Sequence, residues 1–580
     1  MKYIKTILLF MAAILVVSCA DELNTRPYDT LVESQVWSST DNAQMFINRL
    51  DSLLPKYLTT GQWANTGDDN TVNRDNNGST LSCEKITTDT DLGWNIYPDV
   101  RACNLAIKNI QASEGISESD KKTLIGQARF IRAALYFTAA RKFGRVILID
   151  SVLTPTSNLE LPRSKTIKET YDFIIKDLDE AAQDLAVSVS KGLASKGAAY
   201  ALKAEVCLQG AAYLTEESEK LDYYKQAKKA SEDLFALNAY SLDKDYAGMF
   251  NAYNTAQSSP EIILATWMLQ SNTRFDQTWM QDITPNQGGG DKLPAEIRAK
   301  WPMESLEGWM NRTPSQELVD AYEVMDTDGK AKDYDQTSYY QLLKEGKLYV
   351  DDAIYRHRDA RYYATIVNDS DKYFNSILIM RKGGNMWYEN NREGNWGMTK
   401  SGYLWKKCLY QSKRVFCDEK TDWHIVHLRL GRSYENYAEC LLHMVGTSAD
   451  DGTFQKTAIR YINAVRTTHG QLPAFDENMS LEETWKRYKR ERRVELTMEE
   501  DRYWSLLRWA MAEGKNTVDE LNNKTAHAIF ISEDGRSFEI VPVPVVTALN
   551  QWVFSKKRFL YPVPKSEIST NPNLDQNPGW

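Results

Sequence analysis

Residues 120–144 read DKKTLIGQARFIRAALYFTAARKFG. Apolar side chains recur at Leu124, Ala128, Ile131, Leu135 and Ala139, three or four residues apart. That spacing predicts a helix with a continuous apolar stripe, closed by Gly144 as a C-terminal cap. The alanines keep its flank thin, so neighbouring helices can approach closely.

The same rhythm spreads in both directions. TIKETYDFIIKDLDEAAQDL (166–185) opens on Thr166 with Glu169 three residues later, a capping box. SKGAAYALKAEVCLQGAAYL (195–214) and KLDYYKQAKKASEDLFAL (220–237) read as an antiparallel helix pair. A second helical cluster comes near the other end, HIVHLRLGRSYENYAECLLHMVG (424–446) and DGTFQKTAIRYINAVRTTHG (451–470). Leu430-Gly431-x-x-Tyr434 has the first-helix spacing of a tetratricopeptide repeat, and Ala458, Ile462 and Val465 loosely match its second helix. No single pair can bury its apolar face, so stacked neighbours must supply the core. The fold class read here is mainly α: degenerate repeat helices, about 94–237 and 424–514, form one scaffold.

Two stretches break the pattern, about 60–93 and 238–423. They are rich in Trp, Gly, Asn and Asp, as in TTGQWANTGDDNTVNRDNNGS (59–79) and RKGGNMWYENNREGNWGMTKSGYLWKK (381–407). Long irregular segments in a compact protein are usually functional. The tail 555–580 is rich in Pro and Asn and excludes a long helix.

The first residues carry Lys2 and Lys5, then an apolar run from Ile7 to Val17, then Val16-Val17-Ser18-Cys19. The run is shorter than the roughly 20 residues a spanning helix needs. It reads as a signal peptide (1–18) whose loose lipobox makes Cys19 the acylated first residue of a single mature domain, 19–580. Several acyl chains on one residue would anchor stably.

Net charge is −9, with no basic block, which argues against a nucleic-acid partner. The chain has seven cysteines. Without Cys19 an even set remains, which permits disulfides in an exported protein. Cys207 and Cys440 lie on helical patterns and read as buried thiols; no C-x-x-C spacing suggests zinc.

Sixteen Trp and 31 Tyr mark the composition. Flat rings stack on the C–H faces of sugars while indole N–H and phenol O–H meet hydroxyls. Candidates on irregular segments are Trp63 with Asn65 and Arg74, and Trp279 with Arg274 and Asp276. Trp301, Trp309 with Asn311, Trp387 with Tyr388 and Asn385, and Trp396 complete the set. Trp94 reads equally as core or ligand contact. Trp485, Trp504 and Trp509 sit on helical patterns and read as core.

Other chemistry is poorly supported. Glu491 and Glu495 project from one helix face, whereas glycosidase carboxylates must flank a bond from opposite sides. They read as ion-paired scaffold residues. His424 and His427 lack a third metal ligand nearby and read as a plain helix face. Asp326-x-Asp328-Gly329 lacks the downstream Glu of a calcium loop and reads as a turn. Gly288-Gly289-Gly290 is not a phosphate loop. No cofactor is expected, with a structural calcium left open.

Six blocks in order resemble the SusD/RagB family of outer-membrane lipoproteins: CADELNTRP after the lipobox, QARFIRAALYFTAARKFGRVILI, ASKGAAYALKAEVCL, RLGRSYENYAECL with AIRYINAVRTTHG, RERRVELTMEEDRYWSLLRW, and LYPVPKSEISTNPNLDQNPGW. The resemblance implies a tetratricopeptide scaffold with an irregular ligand face. It also implies a non-catalytic surface lipoprotein that captures glycan and passes it to a SusC-like TonB-dependent transporter. Asp21 and Glu22 resemble the acidic surface-export signal of such lipoproteins. Some relatives bind peptides, and the family fixes no ligand residue by motif. A peptide-capture lipoprotein, a surface glycoside hydrolase and a scaffold subunit without a ligand are the competing readings.

Overall fold

The computed structural model describes residues 33–58, 68–73, 84–271, 278–285, 293–303, 308–389, 397–412, 421–544 and 551–580. Cys19, Trp63, Arg74, Arg274 and Trp396 lie outside them, as do Cys83 and Cys417.

In chain order the main helices are α1 (Thr40–Asp51), α2 (Tyr97–Ala112), α3 (Glu118–Phe143), α4 (Ile167–Asp184), α5 (Lys196–Ala211), α6 (Glu217–Ala236), α7 (Leu430–Met444), α8 (Phe454–Thr468), α9 (Leu481–Glu495) and α10 (Arg502–Ala512). Each of α2 to α6 packs on the next, and the row continues from α6 to α7, α8 and α9. The chain therefore leaves the stack after α6, builds the loop-rich half, and re-enters at α7. This serial packing is what stacked helix pairs require.

The N-terminal ends follow local chemistry. Ser117, Thr166, Ser195 and Ser480 each accept a backbone N–H with the side chain at an N-cap. The Glu169 carboxylate returns to the N–H of Lys165 at 2.7 Å, one residue before the expected Thr166. Gly144 ends α3 with φ +71° and donates to Ala140 O at 2.7 Å. α3 is buried around nearly its whole circumference, so it carries buried arginines as well as alanines. Arg132 is held by Asp177 at 2.6 and 2.8 Å and by Asn104 at 2.6 Å.

The stretch 424–429 is not helix. It lies in a strand, because His424 to Arg429 pair with residues 262–267, some 160 positions earlier in sequence. In chain order the strands used below are β1 (Thr71–Asn73), β2 (Ile262–Met268), β3 (Arg312–Pro314), β4 (Trp423–Arg429), β5 (His527–Ile531) and β6 (Phe538–Pro542). The pairs β1–β3, β2–β4 and β5–β6 are antiparallel, and the described strands pair only in twos. α7 follows β4 directly. No described helix is long and apolar enough to cross a membrane.

One large apolar cluster fills the helical stack and takes in Tyr561, Val563 and Leu574 of the tail. There Asn577 donates to Phe143 O and Tyr561 O, and Trp580 donates to Lys557 O and Leu560 O. Trp504 and Trp509 are core members, and Trp485 packs against that core. A second cluster underlies the loop-rich half, and Val494 of α9 reaches into it. Cys103, Cys207, Cys408 and Cys440 are free thiols.

Between the two clusters lies a buried ionic lattice. Arg361 meets Asp359 at 2.9 Å, Glu491 at 2.8 Å and Glu495 at 3.0 Å. Arg429 meets Glu261 at 2.9 Å, Glu495 at 2.6 Å and Glu499 at 2.8 Å. Gly431 donates to Glu261 Oε1 at 3.1 Å, and a Cβ there would stand 2.7 Å from that oxygen. The first-helix glycine thus lets a carboxylate approach the start of α7.

Candidate ligand-binding face

The early loop is tied to the scaffold over its described residues. Its described part, 68–73, ends in β1, whose partner β3 anchors the segment that carries Trp309. Asp69 meets Arg502 at 2.7 Å and Arg493 at 3.0 Å. Burial alone would raise the Asp69 carboxyl, but Arg493 and Arg502 hold it down to about 2. Scaffold helices α9 and α10 therefore fix the root of the loop that holds Trp63 and Arg74.

Behind β1 lies a cavity of about 350 Å³, lined by residues such as Asn70, Thr71, Lys142, Trp405 and Tyr503. Burial lowers Lys142 to about 8, and burial with the Asp69 charge raises Asp68 to about 7. Trp94 lies in the adjoining core at 2% exposure, edge-on to Phe143 at 5.1 Å. It is a packing residue.

The remaining described candidates converge on the loop-rich half. Trp301 O accepts from Asn385 Nδ2 at 3.4 Å, which brings residue 301 beside 385–389. Trp387 is only 8% exposed. Its indole N–H donates to Glu389 at 3.1 Å, and its ring supports two others edge-on, Tyr388 at 4.5 Å and Phe530 at 5.0 Å. Tyr388 and Phe530 stack at 4.5 Å with 14° between planes, and both are partly exposed. The Tyr388 hydroxyl also reaches Glu389, at 3.4 Å. The result is a two-ring stack, a narrow shelf in which each ring covers one face of the other, braced edge-on by an indole and with an exposed carboxylate at its rim.

Trp309 is 40% exposed, three residues before β3. A small apolar cluster makes the β1–β3 ribbon and the β5–β6 hairpin neighbours: Val72 packs with Ala526, Ala528, Val543 and Trp552, and Phe530 rests against them. Trp279 is the second residue of the short helix Thr278–Ile283, which lies against β3.

The amides singled out beside these rings are already engaged. Asn385 accepts from Ile379 N at 2.7 Å and donates to Ile377 O at 2.9 Å; Asn311 donates to Asp282 at 2.7 Å. They shape the loops. Sequence reasoning missed Phe530. Its signal was the alternating HAIFI, an Asp534-Gly535 turn and FEIVP, a hairpin pattern.

The alternative chemistries are placed as follows. Glu491 and Glu495 are consumed by the lattice, and Arg466 also bonds Glu491. His424 and His427 lie on β4, not on a helix. His424 bonds Met249 O and the Tyr410 hydroxyl, while His427 bonds the Thr266 hydroxyl at 2.8 Å. Burial lowers them to about 4 and about 3. Glu261, His469 and Glu495 lie close enough to ligate a metal. Burial alone would lower His469, but the charges of Glu495 and Glu261 raise it to about 10. An imidazolium flanked by Arg429 and Arg361 supplies the positive charge there. At 326–329, Lys332 bonds both Asp326 and Asp328, at 2.6 and 2.8 Å, which makes this an ion-paired turn.

Comparison with known proteins agrees with this architecture. The profile of the SusD family matches residues 260–580, and one described as "Starch-binding associating with outer membrane" matches residues 29–208. SusD-like protein P38 of Formosa agariphila is 26% identical over 387 residues, 62% of this chain and 72% of that protein. The crystal structure of a SusD-like protein from Bacteroides fragilis has a TM-score of 0.72 and 25% identity, covering 96% of this chain and 100% of that one. A laminarin-binding SusD-like protein shares the fold, with a TM-score of 0.59, 19% identity and coverage of 94% and 100%. With a profile spanning more than half of its length, and its fold shared with those structures, the chain belongs to the SusD family.

Proposed function

We propose that this protein captures glycan at the outer membrane and acts without catalysis. The observation that carries the reading is the Tyr388–Phe530 shelf, braced by Trp387 and rimmed by Glu389, on the half of the molecule that also exposes Trp309. Rings of this kind offer an apolar face to a pyranose, and the carboxylate accepts from its hydroxyls. Starch binding, in the description of one matching family, and laminarin binding, in one structural relative, favour a polysaccharide or oligosaccharide. Glu491 and Glu495, the carboxylate pair most suggestive of hydrolysis, are committed to arginines, which favours binding over cleavage.

Affinity electrophoresis through laminarin, soluble starch and xylan tests the reading. A Trp309→Ala/Tyr388→Ala/Phe530→Ala variant should lose retardation while keeping its helical circular dichroism. Tyr388→Ala alone should weaken binding by about 1–2 kcal/mol, roughly tenfold in Kd. Retention of a peptide mixture by the wild type, with no retardation by any glycan, would transfer the site to peptides.

The family resemblance extends the proposal to location and partner. Cys19 becomes the acylated mature N-terminus, and the protein sits outside the cell over a SusC-like TonB-dependent transporter that receives the glycan. Mass spectrometry of the mature N-terminus tests the anchor: an unacylated Cys19 refutes it. Affinity purification from detergent-solubilised outer membranes tests the partner, and recovery without a β-barrel protein counts against the hand-off.

A further inference from the structure

A second aromatic floor lies away from the Tyr388–Phe530 shelf, at the seam between the helical stack and the β2–β4 ribbon. Trp267 of β2 stands directly opposite His424 of β4 in the antiparallel register. The two rings stack at 5.2 Å with 19° between planes, and Tyr253 meets the indole edge-on at 5.5 Å. His424 is clamped by Met249 O at 2.8 Å and the Tyr410 hydroxyl at 2.5 Å. These partners assign the proton to Nε2, leaving Nδ1 to accept from the phenol. The support beneath Trp267 is thus flat, neutral and fixed in orientation.

Trp267 is only partly buried, and its indole N–H has no acceptor among the described residues. The groove in front of it has a volume of about 240 Å³. Its far wall is the connection from α4 to α5. Gly192 turns there with φ +94°, and a Cβ built on it would stand 3.5 Å from the indole Cδ1. A side chain at that φ would be strained, so glycine lets the connection close over the ring's edge. Lys191 bonds Gln257 O and holds its ammonium 6.0 Å from the ring centroid. Ser188, the Ser195–Tyr240 hydroxyl pair at 3.0 Å, and Gln257 complete a hydroxyl and amide rim. The combination is a braced indole, an unused N–H donor and polar groups around a hollow. At less than the roughly 300 Å³ where drug-sized pockets begin, it suits one ring and not a long chain.

We propose that the Trp267 groove is a second carbohydrate-binding site, which takes a single sugar ring through stacking on the indole and hydrogen bonds from the indole N–H and Lys191. It shares no lining residue with the Tyr388–Phe530 shelf. The choice of sugar as its ligand rests on the glycan-capture reading, but the site itself is read out separately.

The test uses the whole protein with ¹⁵N-labelled tryptophan, and Trp267→Phe assigns the Trp267 indole resonance. The probes are methyl β-D-glucopyranoside, methyl β-D-galactopyranoside and methyl β-D-xylopyranoside at about 0.1 M, because one ring on one indole gives millimolar affinity at best. The Trp267 resonance should shift saturably with at least one probe, and should still do so in the Trp387→Ala/Tyr388→Ala variant. Silence with all three probes overturns the proposal. So does a shift that vanishes in that variant, since the perturbation would then be relayed from the shelf. A moving Trp267 resonance with Trp387 unmoved in the wild type would leave this site standing and count against the shelf.

Discussion

In the helical stack, α5 meets its neighbours through Ala198, Ala201, Leu202 and Leu208, and α4 answers with Ile174, Leu178 and Ala181. In the loop-rich half, single charged side chains do the equivalent work. Asp369 accepts from the backbone N–H groups of Met380 at 2.6 Å and Arg381 at 2.9 Å, and from Arg381 Nε at 2.6 Å. Arg358 donates to Ile354 O, Val319 O and Tyr322 O at 2.6, 3.1 and 2.6 Å. Periodic segments satisfy their own backbone, so they pack mainly by apolar contact, and their buried ion pairs, such as Arg132–Asp177, tie side chain to side chain. Irregular segments leave backbone groups open, which buried ionic side chains then satisfy. The first kind of order is spread over many small contributions. The second depends on a few residues, each costly to remove.

Removing one charge at the seam should therefore do the most damage. Arg361→Met takes the arginine from Asp359 and leaves Glu491 to Arg466 and Glu495 to Arg429 and His469, and should cost roughly 3–5 kcal/mol in urea unfolding. A loss below about 1 kcal/mol would mean that the lattice does not join the two halves. The matching change in the stack, Leu178→Ala, should cost about 2–4 kcal/mol. It should leave glycan affinity intact, and a parallel loss of binding would erase the contrast between the regions.

Acidity probes the same seam. His469 sits at about 10 in the fold against an ordinary 6.5, so folding takes up a proton. Its stabilisation is complete below about pH 6.5 and is lost as the pH rises through about 10. Thermal melts should fall by several degrees across that window, and His469→Gln should remove this component of the slope. A variant with the wild-type slope would show that other groups govern it.

The smallest expected change is a gain. Asp51, at the end of α1, has both carboxylate oxygens buried without a hydrogen-bond partner among the described residues, and burial raises its carboxyl to about 8. Its penalty is absent below the ordinary 3.8, grows as the pH rises, and is complete above about 8. Asp51→Asn should stabilise by about 1–3 kcal/mol at high pH, and by nothing near pH 4. Equal melting curves at pH 9 would show that the group finds solvent.

How much could be read in advance follows the same division. The 120–144 helix, its Gly144 cap and the Ser and Thr caps were legible because their causes lie within a few residues. From sequence the segment 424–429 reads as helix because a short apolar run fits either period, and only its pairing with β2 decides for strand. Glu491 and Glu495 could be called ion-paired from the charges around them, but their partners Arg361 and Arg429 come from elsewhere in the chain. Asn385 and Asn311 look like ligand amides in the sequence because a loop sequence does not show which groups of the protein its side chains will satisfy.

By itself the sequence determined the helical scaffold, its need for stacked neighbours and the family, since periodicity, caps and ordered blocks are properties of contiguous residues. Tertiary structure decided which rings act together. Phe530 joins Tyr388 across more than a hundred residues, Trp267 meets His424 across a similar distance, and Trp94 goes into the core. A ring's function depends on which of its faces remains uncovered, and that is settled only when distant segments pack.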